Sequence, residues 1–276
     1  MSDEEGRAFV PGHVTGFFSS HEADDPERAG SRGAGLTLSE GVTVTVDPAS
    51  ETRVELDGEQ SVAAGRRVLD ELDVTASVAA TTDLPVGAGF GVSGAVALGT
   101  ALAANEAFDC GLSENELVTI AHVAEIEAGT GLGDVVAQAR GGVPIRLEPG
   151  APEYNRLDGV SARRRVEYLS LGDRSTAEVL SGNTARLSEA GVDALVELVN
   201  EPTLDSFVRL SREFADRADL LGDDVRAVVE DVEAAGGRAS MAMLGETVFA
   251  LDTGLTDAGY DAAVSDVDHC GATLVE

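Results

Sequence analysis

The sequence predicts an α+β protein built in two parts, residues 1–148 and 149–276. Three observations lead there. Short alternating stretches such as Val42-Thr43-Val44-Thr45-Val46 dominate the first part, amphipathic helical spacing dominates the second, and the loop from Pro149 to Arg156 separates them. With 43% apolar residues, the 276-residue chain has ample material for a packed core.

Taken in order, strands are predicted at Arg7 to Val10, Val42 to Val46, Thr52 to Leu56 and Val74 to Thr81, with a helix from Ser61 to Leu72 among them. A glycine-rich loop follows Asp83-Leu84-Pro85, and Ser93 to Phe108 reads as an apolar, buried helix. Ser113 followed by Glu116 is a capping box that opens a helix to Ala128. Strands at Val143 to Leu147 and Val166 to Leu171 then give way to helices at Ala177 to Leu187, Val192 to Val199, Thr203 to Leu220 and Asp223 to Ala235. The chain closes with strands at Ser240 to Leu244 and Thr247 to Leu251, a helix from Thr256 to Ala263, and a strand at Ala272 to Val275.

Charge narrows the function classes. Fifty acidic residues stand against 19 basic ones, a net charge of -31, and every basic residue is arginine. A carboxylate-rich, lysine-free surface suits a protein dissolved in multimolar salt, where the screening length falls to about 3 Å. Such a surface has no basic face for DNA or RNA, so no nucleic-acid partner is expected. The absence of lysine excludes a Walker A loop, a protein-kinase active site and Schiff-base chemistry. No apolar run is long enough to span a bilayer and the N-terminus is acidic, so no membrane partner is expected and a cytoplasmic location is. Cys110 and Cys270 have no metal-site spacing, and each reads as a small buried hydrophobe.

The strongest motif is Pro85-Val86-Gly87-Ala88-Gly89-Phe90-Gly91-Val92-Ser93-Gly94-Ala95, set between a strand and an apolar helix. Glycines at alternate positions let backbone amides turn toward one point, and the helix that follows adds the positive end of its dipole. The loop either binds an anion such as phosphate or serves only close helix-to-strand packing. Its spacing is not the dinucleotide fingerprint, whose third glycine comes one residue later. Ser93, at the helix start, offers a hydroxyl to phosphate or Mg²⁺.

This stretch resembles the second motif of the GHMP kinases, in which a Pro-x-Gly-x-Gly-x-Gly-Ser-Ser-Ala loop wraps the phosphates of ATP. Val92 replaces the first serine and Gly94 a small residue, while Ser93 keeps the second serine. Phe9-Val10-Pro11-Gly12-His13 looks like the N-terminal motif, with His13 where lysine is frequent. Phe17-Phe18, Gly30-Ser31-Arg32-Gly33-Ala34-Gly35 and the segment from Gly236 to Phe249 are similar to the archaeal pantoate-kinase branch of the family.

The resemblance implies a two-part fold, with an N-terminal part like the second domain of ribosomal protein S5 and a ferredoxin-like C-terminal part. It implies ATP with Mg²⁺, pantoate as acceptor, a homodimer and, with the charge, a haloarchaeal source. Asp134, seven residues before Gly141 of a Gly-Gly pair, takes the place of the family's base, and Pro85, Gly87, Ala88, Gly89, Gly91, Ser93, Gly94 and Ala95 hold ATP. Ser93 and Glu125, or else Glu127, bind the metal; Arg32 or Arg140 meets the pantoate carboxylate. Ser31 is expected to bind substrate, and His13 and His21 either hydrogen-bond a substrate hydroxyl or phosphate or are structural, with His13 counted beside Asp134 as catalytic, whereas His122 and His269 read as structural. Another small alcohol, homoserine or mevalonate, and a nucleotide-binding protein without catalysis remain open alternatives.

Overall fold

A computed structural model describes residues 5–59, 62–172, 184–243 and 245–276. A long hairpin organises it: β1 (Gly6–His21) and β2 (Gly30–Pro48) pair antiparallel from Gly6↔Val46 to His21↔Gly30. Pro11 has no N–H for the ladder, and the register shifts between Pro11 and Gly12; a second shift falls between Thr15 and Phe17. Each bulge re-aims the side chains around it, and His13 lies between the two.

β3 (Arg53–Leu56) runs parallel to β4 (Ala76–Thr82), the two joined through α1 (Ala63–Glu71). With β11 (Thr273–Leu274) at the far edge, the order is β11-β1-β2-β4-β3. β5 (Val143–Glu148) joins the start of β2 at Gly33 and Ala34 and carries β6 (Arg156–Val160) beside it. α2 (Val92–Phe108) is buried along most of its length against β1 and β2, as its all-round apolar sequence requires. α3 (Glu114–Ala128) starts with the expected capping box, Ser113 and Glu116 each bonding the other's backbone N–H. The seven-residue α4 (Asp134–Arg140) follows.

The second layer is a four-stranded antiparallel sheet made of β7 (Arg165–Gly172), β8 (Ala239–Ala242), β9 (Glu246–Leu251) and β10 (Ala263–Asp266), in the order β10-β7-β9-β8. α5 (Thr184–Asn200), α6 (Leu204–Arg217), α7 (Asp223–Ala234) and the short α8 (Gly254–Asp257) accompany it. α5 and α6 pack on β1, where the Phe17 ring lies 6.3 Å from Phe207 and 6.4 Å from Phe214, and Phe18 lies 6.0 Å from Phe214. Fully burying a side chain of this size contributes about 2 to 3 kcal/mol. The phenylalanine pair therefore welds the two layers. The tail returns to the first sheet: Asp268 accepts from Gly142 N–H and donates to Thr37 O, and Ala272 N–H donates to Gln138 O.

Several elements differ from expectation. β1 continues to His21 and β2 begins at Gly30, although Pro11, Gly12, Gly16 and the glycines from 30 to 35 read as loop. The glycines serve close approach instead; a Cβ on Gly35 would collide with the His13 ring. The two helices predicted from 177 to 199 are joined in α5 across Gly191, whose missing side chain lets the helix rest on the Phe18 backbone; residues 177–183 of the first lie outside the described residues, as does Leu244. The helix expected from Thr256 to Ala263 stops at Asp257 and Ala263 enters β10. α4, β6 and β10 have no counterpart among the predicted elements. Cys270 is exposed rather than buried, in a turn where Asp268 Oδ1 accepts the N–H groups of Cys270 and Gly271; Cys110 is half-buried. Among the described residues no helix is long and apolar enough to cross a membrane.

Candidate active site

The glycine loop leaves β4 at Thr82, whose hydroxyl accepts Leu84 N–H and donates to Gly41 O. Gly87, Gly89 and Gly91 have φ of 82°, 93° and 64°, while Ala88 and Phe90 between them keep negative φ. That alternation of φ sign is the backbone pattern of an anion nest, in which Ala88, fully buried with its N–H turned back to Pro85 O, supports the loop rather than offering an amide. The second layer holds the loop from outside. Phe90 stacks edge-on against Tyr168 at 4.9 Å, and a Cβ on Gly89 would stand 2.9 Å from Met243 O. Met243 N–H in turn donates to Thr15 O of β1.

At Gly91 the loop becomes α2, with no side-chain cap and no acidic residue in the first turn. The first-turn amides and the positive helix end are left for a ligand. Ala95 donates its N–H to Gly91 O and is fully buried, so it supports the turn rather than offering an amide.

Facing this turn, Glu125 of α3 is 3% exposed and accepts hydrogen bonds at Oε1 from Ser93 Oγ (2.6 Å) and Thr130 Oγ1 (2.7 Å). Burial pushes its carboxyl up to about 7; the two hydroxyls oppose the rise and the charge of Asp134 adds to it. Its Oε2 faces Gly131, where any side chain would collide with it. Glu127, two residues on, turns outward and pairs with Arg67 at 2.9 Å. Ser93 and Glu125 make a hard-oxygen pair, Glu125 forming no ion pair with an arginine or histidine among the described residues, and this donor set fits Mg²⁺. Among the described residues no group of three or more His, Cys, Asp and Glu side chains could hold a metal unaided.

Asp134 opens α4, and its Oδ1 lies 2.7 Å from His13 Nδ1. Burial drives the His13 pKa down despite this bond, so the neutral ring donates Nδ1–H to the carboxylate. Burial raises Asp134 as well, but the His13 hydrogen bond and the Arg146 charge outweigh it and hold the carboxyl below its ordinary range. Asp134 retains 17% exposure of its side chain, whereas His13 has none.

Arg146 of β5 completes the group. It is 2% exposed, and neither Nε nor Nη1 finds a hydrogen-bond partner among the described residues. A Cβ on Gly133 would lie 2.7 Å from Ser31 Oγ and 2.8 Å from Arg146 Nε, so Ser31, Arg146 and the start of α4 converge there. A buried guanidinium with unused donors is suited to a carboxylate or phosphate.

The sequence missed Arg146, although one signal was present: a lone charge inside the apolar run Val143-Pro144-Ile145-Arg146-Leu147. Thr130 and Gln138 were missed too. The expected arginines are engaged by other groups, although Arg32 Nε too is buried without a hydrogen-bond partner among the described residues. Arg32 pairs with Glu148 at 2.5 Å, and Arg140, at the opposite end of α4 from Asp134, donates to Gly141 O and lies against Gly159. His21 is exposed at the end of β1. His122 is buried and bonds Ala29 O at 2.9 Å, as a structural histidine does, whereas His269 is exposed. A cavity of about 390 Å³ between α6, α7 and Arg238 lies apart from all these groups.

Residues 61–142, from the start of α1 through α4, match the family model of the GHMP kinases N terminal domain. Pantoate kinase from Methanocaldococcus jannaschii is 34% identical over 88% of this chain and 91% of its own length; that of Thermococcus kodakarensis is 35% identical over 89% and 87%. The solved structure of a phosphotransferase related to the CoA biosynthesis pathway covers 99% of both chains with a TM-score of 0.87 and 29% identity. Homoserine kinase from Cytophaga hutchinsonii, at 17% identity and a TM-score of 0.72, shares the fold. The chain belongs to the GHMP kinase family, within its group of pantoate kinases.

Proposed function

We propose that this protein transfers the γ-phosphoryl group of ATP to the primary hydroxyl of pantoate, giving 4-phosphopantoate on the way to coenzyme A, with the glycine loop as the phosphate cradle and Asp134 as proton acceptor. The observation that carries this is the convergence of a positive-φ glycine nest, an uncapped helix start, the Ser93 and Glu125 oxygens and a His13-held carboxylate on one spot. In this reading residues 1–148 carry the nucleotide and residues 149–276 brace the loop through Tyr168 and Met243.

The roles follow from the chemistry. Gly87, Gly89, Gly91, Ser93 and Gly94 supply backbone N–H groups to the triphosphate. Ser93 and Glu125 would hold Mg²⁺, which neutralises charge on the phosphates when bound. Arg146 and Ser31 take the pantoate carboxylate, placing the hydroxyl against Asp134. An Asp with a lowered pKa is a weak base; it orients the hydroxyl and receives the proton as the oxygen becomes acidic on joining phosphorus. His13, neutral and donating, keeps Asp134 Oδ1 fixed so that Oδ2 faces the substrate. The -31 charge fits work in a salt-rich archaeal cytoplasm, and the reading includes a homodimer, which the family resemblance of the sequence motifs implies.

ADP release in multimolar KCl with Mg-ATP, compared among pantoate, homoserine and mevalonate, tests the proposal. Turnover confined to pantoate is expected. Faster turnover of another alcohol, or none with any, would replace it.

A further inference from the structure

Gln138 stands one turn after Asp134 on α4 and is fully buried. Its Nε2 donates to Pro11 O and to Gly91 O, both at 3.0 Å. Two carbonyl acceptors fix which end of the amide is which, because the reverse orientation would set oxygen against oxygen. Pro11 is the bulge of β1 two residues before His13, and Gly91 is the last glycine of the phosphate loop. One carboxamide thus ties together the strand that carries His13, the loop that carries the phosphate amides, and the helix that carries the base.

The neighbouring sequence makes room for it. A Cβ on Gly94 would stand 3.0 Å from Gln138 Oε1, and one on Gly91 3.2 Å from Nε2. Both contacts are tighter than side chains tolerate without shifts. Gly94, which departs from the family motif, is accounted for by the space this amide fills.

We infer that Gln138 is the positioning residue that sets the distance between Asp134 and the transferring phosphoryl group. It touches neither ATP nor pantoate; it acts through Gly91 and His13. The inference rests on the roles proposed above for the loop and for Asp134. Without the amide, Pro11 O loses this donor and Gly91 O keeps only the N–H of Ala95, so the link between the loop, β1 and α4 is cut. A displacement of about 1 Å at a reacting centre costs roughly a hundredfold in rate.

The test is kinetic, on Gln138→Met, which keeps length and loses the donor, and Gln138→Asn, which keeps the donor and loses reach. Kinetic constants for ATP and pantoate are measured in multimolar KCl and scaled to the folded fraction from urea unfolding. We expect kcat to fall about a hundredfold for Met and less for Asn, KM for ATP to rise, and KM for pantoate to stay within about twofold. A purely structural residue would lower the urea midpoint while leaving the constants of the folded enzyme unchanged, and that result overturns the inference. If the Met variant does not fold, the Asn variant decides by the same criterion. Absence of turnover in the wild type would defeat the proposed function and the inference that rests on it, a result distinct from unchanged constants in the variants of an active enzyme.

Discussion

Glu125→Gln is expected to make the metal-free protein more stable than wild type near pH 8 and to lose that advantage in acid. Glu125 titrates at about 7 in the fold against 4.5 when free, because burial outweighs the hydroxyls of Ser93 and Thr130. A carboxyl whose folded pKa is raised contributes its full stability below the unfolded value and loses it as pH rises through the folded one. The difference of about 2.5 units corresponds to about 3 kcal/mol, at 1.36 kcal/mol per unit. Urea unfolding with chelator in multimolar KCl, at steps from pH 4.5 to 8, gives the difference between the two proteins at each pH. It should change by about 3 kcal/mol in favour of the glutamine variant across that range, with most of the change between pH 5 and 7. A difference that stays flat would show that Glu125 ionises without strain, and the case for it as a carboxylate awaiting a cation would fall. Mg²⁺ added to wild type at pH 8 should recover the lost stability, since a cation that binds only the folded state stabilises it by mass action.

Asp134→Asn should abolish phosphoryl transfer while calorimetry still detects ATP binding, because the nest and the helix end are untouched; near-normal turnover would remove Asp134 as proton acceptor. Arg146→Met should raise KM for pantoate about a hundredfold, roughly 2.7 kcal/mol, with little change for ATP. The same change withdraws the charge that holds Asp134 down, so the acid limb of the kcat profile should move to higher pH; an unmoved limb counts against the pairing. Gly89→Ala, at φ 93° and 2.9 Å from Met243 O, should cost about 1 to 3 kcal/mol of stability and weaken ATP binding, read by urea unfolding and calorimetry.

Much of this was legible because it is local. The capping box at Ser113, the apolar α2 and the glycine loop each depend on residues a few positions apart, and each stands where the sequence predicted it. The hairpin of β1 and β2 was not, because its glycines and Pro11 carry the marks of a loop and only the partner strand reveals them as places of close approach. Glu125 and Glu127 lie about 200° apart around a helix, so only one can face α2; the inner face was marked by Val118, Ala121 and His122, all buried. Arg146 was missed because composition says that arginines in so acidic a chain sit on the surface in ion pairs, as Arg32, Arg67 and Arg164 do. Its burial is a property of the fold, where β5 slots beside β2.

The central claim is that main-chain N–H groups of a lysine-free loop grip the triphosphate. Amide chemical shifts in the ¹⁵N-labelled 28.3 kDa protein, with and without a non-hydrolysable ATP analogue in multimolar KCl, test it most directly. The largest displacements should fall on Gly87, Gly89, Gly91, Ser93 and Gly94. Displacements concentrated at Gly237 and Arg238 beside the distant cavity, with the loop amides unmoved, would contradict it.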